Sequence, residues 1–160
     1  MLKILLAIIT LSIYVMDTTP ARAADIARVS AGAFPISSLV IVPPGSALIY
    51  ISGTTAEPPS PGAPLGDTKV QTVSALKRVQ ELLKDHGAGL GDIVMMRVFL
   101  VGDPALGGKM DFAGMMAGYS QFFGTPDQPN KPSRTTVQVA GLAAPGAMVE
   151  IEAQAAKVKP

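Results

Sequence analysis

Fourteen prolines cut this 160-residue chain into short segments, clustering at 43–44, 58–64, 126–132 and 145. A proline removes a backbone donor and clashes inside a helix or central strand, so every regular element must fit between these clusters. The segments that remain alternate in hydrophobic period. Residues 38–42 (SLVIV) and 47–52 (ALIYIS) are β-type runs joined by Pro43-Pro44-Gly45-Ser46, which reads as a hairpin-like turn. From Asp67 or Thr68, either of which can cap, Val70, Val73, Leu76, Val79, Leu82 and Leu83 recur at helical spacing until Gly87. Residues 93–101 (IVMMRVFLV) form the most apolar strand, with Arg97 its one charge. A second helix is expected from Lys109 or Met110 to Phe123, burying Phe112, Met115, Met116, Tyr119, Phe122 and Phe123. Residues 135–140 (TTVQVA) and 147–153 (AMVEIEA) alternate as strands around Pro145-Gly146, and a further short strand fits 26–30.

The order ββαβαββ implies an α+β fold, a mixed sheet with two helices on one face. The other face stays rich in Val, Ile, Tyr and Met, which argues for assembly. Residues 54–66 hold Pro58, Pro59, Pro61, Pro64 and two glycines. They read as a long loop, either a lid or interface or a disordered surface decoration. Residues 124–133 form another.

Residues 1–23 read as a signal peptide: Lys3 starts it, Ile4 to Met16 form an apolar run, and Ala21-Arg22-Ala23 is an A-x-A cleavage pattern. The run falls short of the roughly 20 residues a bilayer-spanning helix needs. Residues 24–160 then form a single domain that is periplasmic or secreted, with no membrane attachment after cleavage. Losing Lys3, Arg22 and Asp17 turns 13 basic and 12 acidic side chains into a balanced 11 and 11.

That balance leaves no basic surplus for nucleic acid. The absence of Cys removes disulfides, thiol nucleophiles and thiolate metal sites. The one histidine, His86, sits at the end of the first helix and reads as a capping or exposed residue. The methionines are at core spacing rather than arranged as a soft metal site. Chemistry is left to Arg, Glu, Asp, Tyr, Thr, Ser and backbone groups.

Arg134, at a loop-to-strand junction in Lys131-Pro132-Ser133-Arg134-Thr135-Thr136, is the foremost candidate. Its planar guanidinium suits a bidentate grip on a carboxylate. If the last two strands pair around the turn near Ala143, Arg134 stands opposite Glu152 and diagonal to Glu150, all on one face. A cross-strand ion pair is the competing reading. Arg97 either snorkels to the surface or pairs across a subunit boundary.

Arg97-Val98-Phe99-Leu100 followed by Asp103, Phe112-Ala113, Tyr119, Phe122-Phe123, Pro132-Ser133-Arg134 and Val149-Glu150-Ile151-Glu152-Ala153 carry a specific order. With Ser52-Gly53, Gln71-Thr72 and Gly87 upstream, the chain over about residues 34–156 resembles the Rid family. These are the YjgF-type reactive-intermediate deaminases, also called endoribonuclease L-PSP. The resemblance implies a chorismate-mutase-like α+β fold and a homotrimer with a cleft at each subunit interface. It further implies hydrolysis of 2-imino acids or enamines to 2-keto acids and ammonia, without metal or organic cofactor. Arg134 falls on the family's carboxylate-binding arginine and Glu150 on the glutamate associated with the catalytic water. Thr136, Met116, Ile36 and Arg97 join Arg134 as the substrate-contacting set. Met116 stands where many deaminating members have asparagine, and Ile36 where the family has a tyrosine. Thr136 replaces a cysteine or other small residue.

Two functions follow from this sequence. One is deamination of a small carboxylate-bearing imine. The other is a non-catalytic trimer that binds a small carboxylate in the same cleft, a role favoured by Met116, Ile36 and export.

Overall fold

The computed structural model describes residues 25–158. The expected leader, 1–23, lies outside the described residues. The strands are β1 (Ala27–Ser30), β2 (Ser37–Ile41), β3 (Ala47–Thr55), β4 (Ile93–Asp103), β5 (Lys109–Met110), β6 (Ser133–Val139) and β7 (Val149–Lys157). Two α-helices, α1 (Thr68–Asp85) and α2 (Phe112–Tyr119), interrupt them. The main sheet runs β1-β2-β6-β4-β7-β3, with β5 beside the end of β4. It is mixed: β6 lies parallel to β2 and β4, and the other pairings are antiparallel. Both helices cover one face, as the alternation of periods requires.

β4 is the pivot. On the helix side Met96, Val98 and Leu100 are buried with Val149, Ile151, Ala153 and Ala155 of β7. Leu76, Val79 and Leu83 of α1 and Met115, Tyr119 and Phe123 from the α2 region close over them. The other face leaves Leu48 54% and Tyr50 69% exposed, along with Leu39, Ile41 and Val137. An apolar sheet face this broad is unfinished in a single copy.

The hairpin expected between residues 38–42 and 47–52 does not form. The turn exists, with Ser46 N–H donating to Pro43 O at 3.4 Å, but β2 pairs with β1 and β6 while β3 pairs with β7 at the far edge. Pro43 and Pro44 offer no ladder donors after β2. The nine residues of β7 instead give β3 a partner along nearly its whole length. The expected pairing of the last two strands also fails, because β4 inserts between β6 and β7 and pairs with both.

α1 starts as read, with the Asp67 carboxylate accepting from Val70 N–H at 2.8 Å. Its buried stripe is rotated, however. Val70 is 52% and Leu82 47% exposed, whereas Gln71, Thr72 and Ala75 are buried with Leu76, Val79 and Leu83. The reason is tertiary. Gly118 brings α2 against Thr72, where a Cβ would collide. The Gln71 amide is fully partnered, donating to Gly66 O (3.0 Å) and Gly146 O (3.2 Å) and accepting from Met148 N–H (2.8 Å). α2 is shorter than expected at both ends. Asp111 caps it by accepting from Gly114 N–H at 2.8 Å, Lys109 and Met110 join the sheet, and Phe123 is buried beyond the helix.

The proline-rich segment is tied down at its two ends, while the residues between them are mostly exposed. Thr54 and Thr55 belong to β3. Beyond them, Glu57 pairs with Arg78 of α1 at 2.9 Å, Arg78 donates to Thr55 O at 2.6 Å, and Gln71 holds the far end at Gly66. Among the described residues, no helix is long and apolar enough to cross a membrane.

Candidate functional site

Arg134, the second residue of β6, lies directly beside Met96 of β4, so its side chain projects to the helix side. There α2 supplies an aromatic and sulfur surround. The guanidinium carbon sits 4.3 Å from the centre of the Tyr119 ring and 6.0 Å from that of Phe112. Nη2 donates to Met116 Sδ at 3.2 Å, a weak acceptor. Nε and Nη1 are buried with no acceptor, and so is Thr136 Oγ1, two residues along the same face. Burial lowers the Arg134 pKa from its ordinary value, and neighbouring Tyr119 works in the opposite sense. Burial likewise pushes the Tyr119 hydroxyl up, with Arg134 opposing it. That hydroxyl donates to Pro35 O at 3.2 Å, which keeps the ring under the guanidinium. Ile36 follows Pro35 and packs against the core.

Glu150 occupies the other side of the sheet. It stands opposite Phe99 of β4 and Thr55 of β3, and its carboxylate lies against the backbone of Gly53. A Cβ at residue 53 would overlap that carboxylate. The opening is made by a bulge in β3 between Ile51 and Thr54. Arg97 is on the same open face and pairs with Glu152 of its own chain at 3.3 Å, both side chains half-exposed. A depression of about 200 Å³ surrounds this pair, lined by Tyr50, Ser52, Met95 and Gln154 among others.

The expectation that Arg134, Glu150 and Glu152 share a face is therefore wrong. Arg134 aligns with residue 96 of β4 and Glu150 with residue 99, positions of opposite parity on an alternating strand. From strand spacing and rise, their Cα atoms are about 14 Å apart, with side chains diverging to opposite faces. The cross-strand ion pair does exist, but Arg97 makes it within its own chain. The candidate residues fall into a helix-side group (Arg134, Thr136, Met116, Ile36) and an open-face group (Glu150, Arg97). His86 caps as read, its Nδ1 2.9 Å from Leu82 O.

The sequence marks Tyr119 and Phe112 as core residues and, with Gly53, as part of the family pattern, but gives none of them a place beside Arg134 or Glu150. Their roles around Arg134 and Glu150 carried no local signal beyond residue type. Arg28 carries no signal in the sequence that sets it apart from other charged residues. Among the described residues, no group of three or more His, Asp or Glu side chains is arranged to hold a metal ion.

The sequence pattern of the family described as endoribonuclease L-PSP matches residues 35–157, nearly all of the described chain. The chain belongs to that family. Within the endoribonuclease L-PSP group, a RutC family protein of Pyrococcus abyssi is 33% identical over 110 residues, covering 68% of this chain and 78% of that protein. Escherichia coli TdcF, solved with bound serine, superposes with a TM-score of 0.59 at 32% identity, over 73% of this chain and 85% of that one. The E. coli YjgF gene product gives 0.57 at 33%, over 69% and 81%. The two solved structures match the mixed sheet with two helices, so the YjgF-type fold expected from sequence is the fold of this chain.

Proposed function

We propose that this protein hydrolyses small 2-imino acids or their enamine tautomers, as a homotrimer whose cleft takes Arg134 from one copy and Glu150 from a neighbour. The observation that carries this reading is the half-buried Arg134 guanidinium, whose Nε and Nη1 are buried with no hydrogen-bond partner. An unmet cationic donor set costs stability and is suited to a carboxylate that arrives with the substrate. The amino acid bound in E. coli TdcF is a carboxylate of that size. Because Arg134 and Glu150 diverge in one copy, a site using both requires a second copy. The apolar open face gives the copies a reason to associate.

In this reaction Arg134 holds the carboxylate and fixes the imine carbon in place, which converts binding into orientation. A water molecule adds to that carbon as Glu150 takes its proton. Glu150 passes that proton to the nitrogen, giving a neutral carbinolamine. The carbinolamine hydroxyl proton then moves to nitrogen through the Glu150 carboxylate as the C=O bond forms and the C–N bond breaks with its electron pair on nitrogen. Ammonia leaves and a 2-keto acid remains. Thr136 Oγ1, on the same face and likewise without a partner, supports the reading as a further donor to the carboxylate. The leader reading puts the protein in the periplasm or outside the cell.

Binding without turnover is the second reading. It is favoured by Met116, a thioether that accepts from Arg134 and cannot donate to or orient a reacting group. A coupled assay on freshly generated 2-imino acids separates the two. Enzyme-dependent acceleration of imine loss is the expected result. Carboxylate binding that depends on Arg134, with no acceleration on any imine, establishes the binding role instead. Light scattering of the protein is expected to give three times the chain mass.

A further inference from the structure

Arg28 lies on β1, about a hundred residues from Arg134 in sequence, and its guanidinium bridges two backbone segments, 91–93 and 131. Nη1 donates to Ile93 O and to Lys131 O, and Nη2 to Gly91 O, each at 2.9 Å. No carboxylate is within ion-pair distance of it among the described residues, since the two ion pairs there are Arg78–Glu57 and Arg97–Glu152. Three carbonyl dipoles take the place of its lost water. The acceptors are the turn before β4, the first residue of β4, and the residue three before Arg134.

The approach to Arg134 is tied down at each step. Lys131 O also accepts from Ser37 Oγ at 2.6 Å. Pro132 O accepts from Ser37 N–H at 2.8 Å, and Ser133 Oγ donates to Val94 O at 3.1 Å. Asn130 Nδ2 shares Gly91 O with Arg28, at 3.2 Å. The Arg134 side chain itself has only soft fixings, a ring face and a thioether. The position of its backbone therefore decides where its free N–H groups point. Productive geometry for such a contact tolerates about 0.5 Å.

We propose that Arg28 is a positioning residue for Arg134: by holding Lys131 O against the start of β4, it sets where Arg134 stands on β6. The inference rests on the reading that Arg134 captures the substrate carboxylate. A planar fork is needed because the acceptors lie on separate segments, which a single ammonium cannot span with the same geometry.

The test uses the full chain with Arg28→Lys and Arg28→Met, and Arg78→Met as a control that removes an ion pair remote from β6. Two readouts are taken. One is the Nε–H signal of Arg134 in nitrogen-15 spectra, assigned by its loss in Arg134→Lys. The other is the split of KM and kcat in imine hydrolysis. Expected in both Arg28 variants are a displaced Arg134 signal and a KM raised about tenfold, with kcat within about twofold. Arg78→Met leaves both unchanged. A merely structural loss of folded protein lowers apparent kcat and leaves KM alone, and that outcome overturns the proposal. If Arg28→Met does not fold, Arg28→Lys decides. If the wild type turns over no imine, the proposed function fails, but the Arg134 signal still judges the positioning role. An unmoved signal in a folded Arg28 variant refutes it.

Discussion

Replacing Arg134 with methionine separates what the guanidinium costs the fold from what it is used for. Two buried nitrogens, Nε and Nη1, have no acceptor, and each unsatisfied buried donor costs about 1–3 kcal/mol. Against this stands the stacking on Tyr119 at 4.3 Å, about 0.5–2 kcal/mol for a cation over a ring. The Met116 contact is weaker still. Methionine retains an unbranched apolar stem, and its sulfur against the same rings recovers about 0.3–1.5 kcal/mol. At the middle of these ranges the balance favours Arg134→Met by about 3–4 kcal/mol, with a Tm rise of about 2–4 °C for each kcal/mol in a domain of this size. Urea unfolding at matched protein concentration, in buffer free of carboxylates, measures it. Light scattering establishes that both proteins are in the same assembly. Carboxylate capture is expected to be lost in the same variant. A variant less stable than wild type would refute the reasoning, because the guanidinium would then be holding the fold together rather than waiting for a ligand.

Glu150→Gln keeps the side chain's size over Gly53 but removes the charge proposed to take the water proton, so turnover is expected to fall about 10²-fold with assembly intact. Imine kinetics beside light scattering check this, and unchanged turnover removes Glu150 from the mechanism. Gln71→Leu strands Gly66 O, Gly146 O and Met148 N–H and is expected to destabilise by about 2–4 kcal/mol in denaturant titration. A neutral result shows that water replaces the amide. Tyr119 has a folded pKa raised above its ordinary value of 10.0. Its contribution to stability is therefore complete below about pH 10 and is lost as the pH rises beyond that. Unfolding between pH 9 and pH 12 is expected to steepen in the wild type and flatten in Tyr119→Phe, and parallel curves argue against the burial of the hydroxyl.

Local periodicity and chemistry were legible in the sequence of this protein. The helix cap at Asp67, the alternation in 135–139 and 149–153, and the apolar run of β4 are properties of neighbouring residues. So is the family resemblance carried by Pro132-Ser133-Arg134 and the Val149–Ala153 run. Each fixes an element's type and the parity of its side chains. Strand partners were not legible, because a ladder depends on residues far apart and several pairings satisfy the same alternation. Only the folded chain placed β4 between β6 and β7, sending Arg134 under α2 and Glu150 over Gly53. It also turned α1 toward Gln71 and Thr72, because Gly118 lets α2 approach there and the buried amide finds three backbone partners. The proline-rich segment looked unsupported for the same reason: its ties, Arg78 and Gln71, belong to a helix that comes later in the chain. Side-chain parity is a local matter, whereas which face meets which is settled by long-range pairing, and that is why candidate residues could be named before their arrangement was known.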